Sequence, residues 1–290
     1  MSEYVLFTDS TADLPADLVQ QLELSVIPLL FEIDGKSYYN YPDNHEMYPK
    51  DFYTALRNGK VCTTSQISPS QFNETFSPVL ESGKDILYLC FSSGLSGTYN
   101  ASRLAIEELR EKYPTRTIRT VDTLSASMGQ GLLVYLAAKK RQEGMGLSEL
   151  GNWVEENRLN LCHWFTVDDL MFLKRGGRVS GAAAVMGTML GIKPVLHVDN
   201  EGHLIPMEKV RGRRASLDAL LKHMQATAIQ PAEQTVFISH GDCQDDCDYV
   251  AQQLREKMGV KHIITNYIGP VIGAHSGPGT VALFFVGEKR

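Results

Sequence analysis

A chain of 290 residues is long for one hydrophobic core and points to two medium-sized domains. Its 28 basic against 34 acidic residues leave a net charge of -6, which argues against a protein whose main task is gripping nucleic acid. Five cysteines, an odd number, fit a reducing compartment better than a disulfide framework, and no run reaches about 18 uninterrupted apolar residues, so a soluble, cytoplasmic protein without stable membrane insertion is expected.

Strand-like and helical runs alternate through the first half, the pattern of a mostly parallel sheet covered by helices. The predicted strands are "YVLFT" from Tyr4, "LSVIPLLFEI" from Leu24, "DILYLCF" from Asp85 and "TIRTVD" from Thr117. Between them, Ser68 and Pro69 open a helix and Gly83 stops it. A helix-like run starts near Asn100, and another, "SASMGQGLLVYLAAKKRQEG", ends in basic residues and Gly144, as the helix dipole prefers. After about Arg158 six further strands are predicted, "LCHWFTV", "IKPVLHVD", "HLIPMEKV", "QTVFISH", "VKHIITNYI" and "TVALFFVG", with "DNEG" at 199–202 as a hairpin turn. Helices are expected around "RRASLDALLKHMQATA" and "DDCDYVAQQLREKMG", and the stretch leading to Lys193-Pro194, "VSGAAAVMGTMLG", reads as a buried helix. The expected class is α/β in two closely packed domains: residues 1–158 as an α/β/α unit with a mostly parallel sheet, and residues 159–290 with a mixed six-stranded sheet. A ligand crevice is expected between them.

The stretch "SSGLSGTY" follows the Asp85 strand and precedes a helix. Capping needs one hydroxyl, whereas Ser92, Ser93, Ser96 and Thr98 with two glycines offer a cradle for an anionic oxygen, phosphate or carboxylate. The competing reading is a nucleophile elbow on Ser96, a serine esterase, although the last glycine of G-x-S-x-G is replaced by Thr98 and the second half lacks the parallel strands that should carry its acid and histidine. "TDSTADLP" lacks the D-x-D of a phosphoryl acceptor, so Asp9 is expected to cap the helix starting near Pro15. Thr63, Thr64 and Ser65 stand before the Ser68 helix, as caps or as hydroxyls of a second segment of a site. His275 lies among small residues in "GAHSGPG", where backbone can approach a ligand, though a lone histidine is more often structural. His240, Cys243 and Cys247 lack a fourth ligand with metal spacing. The basic runs "LKRGGRVSG" and "KVRGRRASL" are either solvated surface or a dock for a phosphorylated or acidic group, and no phosphate-loop or dinucleotide fingerprint is present.

Taken together, "FTDSTADLP", "TTSQISPSQF", "SSGLSGTYNAS", "VDTLSASMGQG", "LKRGGRVSG", "KVRGRRASL" and "GPVIGAHSGPGTVALFF" resemble, in order, the DegV family of bacterial lipid-binding proteins, which includes the fatty-acid-binding subunits of fatty acid kinase. Each segment is weak alone; Ile67 stands where the family often has proline. The resemblance implies one long-chain fatty acid, palmitate for instance, buried between the domains, with its carboxylate held by Thr64, Ser93 or Ser96, and His275. It implies no cofactor and no catalysis by the chain alone. The acid would be handed to a separate DhaK-like ATP-binding kinase subunit that makes the acyl phosphate, with Arg211 facing the partner or the phosphoryl group. A lipid carrier without a kinase is the third reading. Tunnel shape would depend on residues such as Met186, Met189 and Leu190.

Overall fold

The structure, a computed structural model, describes residues 3–179 and 191–290. The helix expected before Lys193, with Met186, Met189 and Leu190, lies outside the described residues, as does the end of "LKRGGRVSG". In chain order the elements are β1 (Tyr4–Asp9), a 3-10 turn (Ser10–Ala12), α1 (Ala16–Gln21), β2 (Ser25–Ile27), β3 (Leu30–Ile33), β4 (Lys36–Tyr39), α2 (Pro49–Arg57), β5 (Cys62–Thr64), α3 (Pro69–Glu81), β6 (Asp85–Cys90), α4 (Thr98–Lys112), β7 (Ile118–Asp122), α5 (Ser127–Gln142) and α6 (Leu147–Asn157). A second 3-10 turn (Arg158–Asn160) leads to β8 (Leu161–Thr166), α7 (Met171–Arg175), β9 (Ile192–Val198), β10 (Leu204–Arg211), α8 (Arg213–Thr227), β11 (Thr235–His240), α9 (Gln244–Met258), β12 (His262–Tyr267), α10 (Pro270–Ser276) and β13 (Val281–Val286).

The first sheet is wholly parallel, in the order β2-β1-β6-β7. Every residue of β6 is buried, because helices cover both faces and no solvent side selects for alternation. The six strands expected in the second half form one mixed sheet, β10-β9-β8-β13-β11-β12, in which only β11 and β12 pair in parallel. Its edge strand β10 carries Pro206 beside a register shift, where a missing ladder donor is tolerated. The hairpin turn at 199–202 closes with Gly202 N–H donating to the Asp199 carbonyl at 3.0 Å.

One predicted strand divides. "LSVIPLLFEI" becomes β2 in the parallel sheet and β3 in a separate antiparallel sheet of order β4-β3-β5. Pro28 has no ladder donor, and the next amide, Leu29, donates to Ser10 Oγ at 3.0 Å instead of to a strand. Helix α3 begins as expected, with Ser68 Oγ accepting the Gln71 N–H at 3.2 Å, and the turn after it holds Gly83 at φ +86°. Asp9 caps the 3-10 turn through the Thr11 N–H, whereas Pro15 precedes α1 with no side-chain cap. The expected capping role therefore moves one element upstream.

Helices α3 and α4 cover the outer face of the parallel sheet, where Phe72 and Phe76 pack on Phe7 and Tyr88. Helix α5 covers the inner face, and its Met128, Leu132 and Leu133 belong to one core cluster with Leu87 and Leu89 of β6 and with Phe165, Phe237 and Phe284 of the mixed sheet. Two sheets thus clasp one helix, which explains why α5 is apolar nearly all round. Gly129 permits that contact: a Cβ there would sit 2.2 Å from His163 Nε2 and 2.7 Å from Phe284 Cδ1. The outer face of the mixed sheet packs under α8 and α9, through residues such as Leu220, Met224, Val250 and Leu254. Helix α10 crosses back to the first half, where Val271 and Ala274 join the core around Phe52 of α2. Among the described residues no helix is long and apolar enough to cross a membrane.

Candidate functional site

Leu29, Phe91 and Ala126 follow β2, β6 and β7, so they mark the carboxyl edge of the parallel sheet, the place where open α/β sheets bind ligands. All three line a cavity of about 350 Å³, closed on the other side by Phe165, Val198, Ala282 and Phe284 of the mixed sheet. That volume falls within the roughly 300–1,000 Å³ of small-molecule pockets. Most of the wall is apolar; Ser127 of α5, His163 of β8 and Thr280 are polar points on it, and a further polar group stands where α10, β5 and the segment after α7 meet.

There Thr64, the last residue of β5, and His275 of α10 come together across 211 positions, with Thr64 Oγ1 and His275 Nε2 2.8 Å apart. Burial, seconded by the positive charge of Arg178, pushes His275 down to about 4, so its imidazole is neutral at physiological pH. Its other nitrogen, Nδ1, is buried without a partner among the described residues. Arg178 lines the same cavity and donates to the carbonyls of Leu95, at 3.2 Å, and Gly176. No carboxylate among the described residues pairs with it, and burial lowers its pKa from the ordinary guanidinium value. A half-buried cation beside a neutral imidazole and a hydroxyl is a donor set for a carboxylate.

The serine cradle divides its work. Ser92 is buried and donates to the Gly202 carbonyl at 2.9 Å, tying the β6–α4 loop to the hairpin of the mixed sheet. Ser93 is exposed and does not line the cavity; its N–H donates to Asp122 Oδ1 at 3.2 Å. Ser96 does line it, with its hydroxyl 2.9 Å from Thr98 Oγ1 and accepting the Thr98 N–H at 3.2 Å. No histidine contacts the Ser96 hydroxyl among the described residues, and Ser96 lacks the positive φ of a strained elbow, so nothing here equips it as a nucleophile. Arg211 is exposed at the end of β10.

Other candidates resolve into structure. Asp9 is fully buried and saturated: besides Thr11 it accepts from Tyr88 OH at 2.7 Å and the Phe91 N–H at 3.1 Å. His240 Nδ1 accepts the Cys243 N–H at 3.3 Å, Cys247 is a residue of α9 buried in the core, and Asp245 and Asp246 sit in the first turn of that helix. Sequence reasoning missed Arg178 as an individual, although it stands in the "LKRGGRVSG" run. It also missed Ser127, which lines the cavity at φ +52°, donates to Asp13 Oδ2 at 2.6 Å and lies 3.0 Å from Ser239 Oγ. The strand–turn–helix spacing S-x-S-x-G at 125–129 was the available signal.

This chain belongs to the DegV family, whose sequence model matches residues 4–288. A DegV domain-containing protein of Clostridium perfringens is 48% identical over 290 residues, spanning 100% of this chain and 99% of the relative. A DegV family protein from Thermus thermophilus, solved in a study of its fatty acid binding, is 33% identical with a TM-score of 0.86, over 99% of this chain and 100% of that one. A DegV lipid-binding protein from Thermotoga maritima is 30% identical with a TM-score of 0.87, over 99% of both chains.

Proposed function

We propose that this protein binds a long-chain fatty acid, with the tail in the 350 Å³ cavity and the carboxylate at Thr64, His275 and Arg178, Ser96 adjoining. Ser93 joins the head contacts through a rotation of its exposed side chain. The observation that carries the reading is a mostly apolar chamber with Thr64, His275 and Ser96 at one end, beside a guanidinium that pairs with no carboxylate among the described residues. Burying about fourteen methylenes yields on the order of 11 kcal/mol of gross driving force. That exceeds the several kcal/mol of desolvating a carboxylate whose oxygens find donors. The fatty acid binding of the Thermus thermophilus relative supports the assignment.

The chain then presents the carboxyl to a separate ATP-dependent kinase subunit, with Arg211 at the contact. The absence of a nucleotide-phosphate motif in the sequence motivates this division of labour. Native mass spectrometry of the purified protein tests the binding: one co-purifying long-chain acid per chain is expected, and a chain that stays empty when offered palmitate refutes it. Acyl phosphate formed from protein, palmitate and Mg-ATP without any kinase would refute the division of labour. Recovery of the acid-loaded protein from cytosol with no kinase bound would leave a carrier role.

A further inference from the structure

Asp13 does not line the 350 Å³ cavity, yet it ties two parts of that cavity's wall together. It follows the 3-10 turn after β1, in the left-handed region at φ +51°, and is buried. Its Oδ2 accepts from the Ser127 hydroxyl at 2.6 Å and its Oδ1 from the Gly269 N–H at 2.9 Å. Ser127 opens α5 and lines the cavity; Gly269 precedes α10, whose Val271, Ile272 and His275 line it as well. The fit at Gly269 is tight, since a Cβ there would sit 2.7 Å from both Asp13 Oδ1 and Asn40 Oδ1. One carboxyl group thus sets where two cavity walls begin.

A backbone N–H only donates, so Oδ1 accepts from Gly269 whatever the charge of the carboxyl. With the group ionised, Ser127 gives its proton to Oδ2, and the 3.0 Å contact between Ser127 Oγ and Ser239 Oγ needs Ser239 as donor. With Oδ2 protonated, Asp13 donates to Ser127, whose own proton turns to Ser239. Both contacts therefore survive protonation. Burial pushes the carboxyl from 3.8 to about 7; the bonds from Ser127 and Gly269 lower it, and the charge of Asp9 raises it. The other titratable groups facing it are Tyr53 of α2 and, in the small pocket it lines, Tyr41 and Tyr267. No lysine or arginine lines that pocket among the described residues. Helix α10 rises about 1.5 Å per residue, which puts about 9 Å between Gly269 and His275. Like charges at about that separation, in an effective dielectric of about 20, shift each other's titration by about one pH unit. We propose that Asp13 is a positioning residue of the acid site, joining Ser127 to the start of α10, and that it takes up a proton as an anionic guest enters. This rests on the reading that the cavity binds a long-chain fatty acid.

The test uses the full chain. Displacement of a fluorescent fatty acid, itself titrated at each pH, gives affinities for palmitate and hexadecanol from about pH 6 to about pH 9 in the wild type, Asp13→Asn and Asp13→Ala. Wild-type affinity for palmitate is expected to fall about tenfold across that range while hexadecanol stays within about twofold; His275, at about 4, does not titrate there. Asp13→Asn keeps an acceptor for Gly269 and a donor for Ser127 without the charge, so palmitate binding should show a flat profile at the wild type's low-pH affinity. Asp13→Ala should weaken both ligands by about tenfold at every pH. Calorimetry of wild-type palmitate binding in two buffers of different ionisation enthalpy counts the proton without any variant, with about half a proton taken up per acid expected near about pH 7.5. A flat wild-type profile with no uptake overturns the proton linkage, as does a wild-type slope kept by Asp13→Asn or shared by hexadecanol. An Asp13→Ala variant that binds both ligands as tightly as the wild type overturns the positioning role. A wild type that binds neither ligand at any pH overturns the reading beneath.

Discussion

Replacing Arg178 with methionine keeps most of the apolar stem and removes the guanidinium, which among the described residues lines the cavity without a carboxylate partner. A hydrogen bond to a charged group is worth about 1.5–3 kcal/mol net, and breaking a fully buried pair costs about 3–5 kcal/mol. Arg178 is only half-buried, so the lower figures apply, and about 2 kcal/mol corresponds to roughly thirtyfold weaker binding of a long-chain acid. The variant also strips donors from the Leu95 and Gly176 carbonyls, which deforms the cavity for any ligand. A fatty alcohol of equal length shares that deformation but carries no charge, so the acid-minus-alcohol difference isolates the ionic contact. Displacement titrations at neutral pH, in low and high salt, measure both ligands. Equal weakening of acid and alcohol would refute a direct role for the guanidinium, and so would no weakening of either.

Asp13 is buried, and burial pushes its pKa from 3.8 to about 7 despite bonds from Ser127 and Gly269. The folded state therefore holds this proton longer than the unfolded chain: its stabilising contribution is complete below pH 3.8 and is lost as pH rises to about 7. Asp13→Asn should gain on the wild type between about pH 5 and about pH 8 in urea unfolding, by at most about 4 kcal/mol, and parallel curves would exclude the shift. Gly129→Ala should lower the melting temperature although alanine is the better helix former, because its Cβ meets buried His163 and Phe284; an unchanged or higher value would mean the seam is loose. Arg290 donates to the carbonyls of Leu161, Leu124, Asp199 and Arg158 and to Ser125 Oγ. Arg290→Ala should cost about 2–4 kcal/mol of unfolding free energy, with Arg290→Lys failing to restore it, and a loss below about 0.5 kcal/mol would mean that these bonds add little net stability.

The long apolar runs were legible because full burial on two faces leaves an unmistakable signature, as in β6 and in the central strands β8, β9, β11 and β13 of the mixed sheet. The small sheet was not. "KSYY" is mostly exposed and "CTT" has three residues, too few for alternation to show, so β4 and β5 exist only through their pairing with β3. Local signals likewise gave Ser68 its capping role but could not separate the serines of the cradle. Whether Ser93 or Ser96 faces the cavity depends on how the loop is pinned by Ser92 to a turn 110 residues away. Arg178 reads like any surface arginine until α7 and α10 are folded against β5, and the meeting of Thr64 with His275 is a property of packing. Residue reading left His275 a lone histidine among glycines; the family resemblance joined it to Thr64.

Helix α5 supplies dry surface to both sheets at once. Neither sheet can keep its own interior if the other lets go, so the halves are expected to melt together and cannot swing apart to admit a guest. If the proposed acid binds, its exchange is then expected to proceed by local displacement at the rim, and the grip gained from a swallowed acyl chain should register as slowed amide exchange even in strands that never touch it.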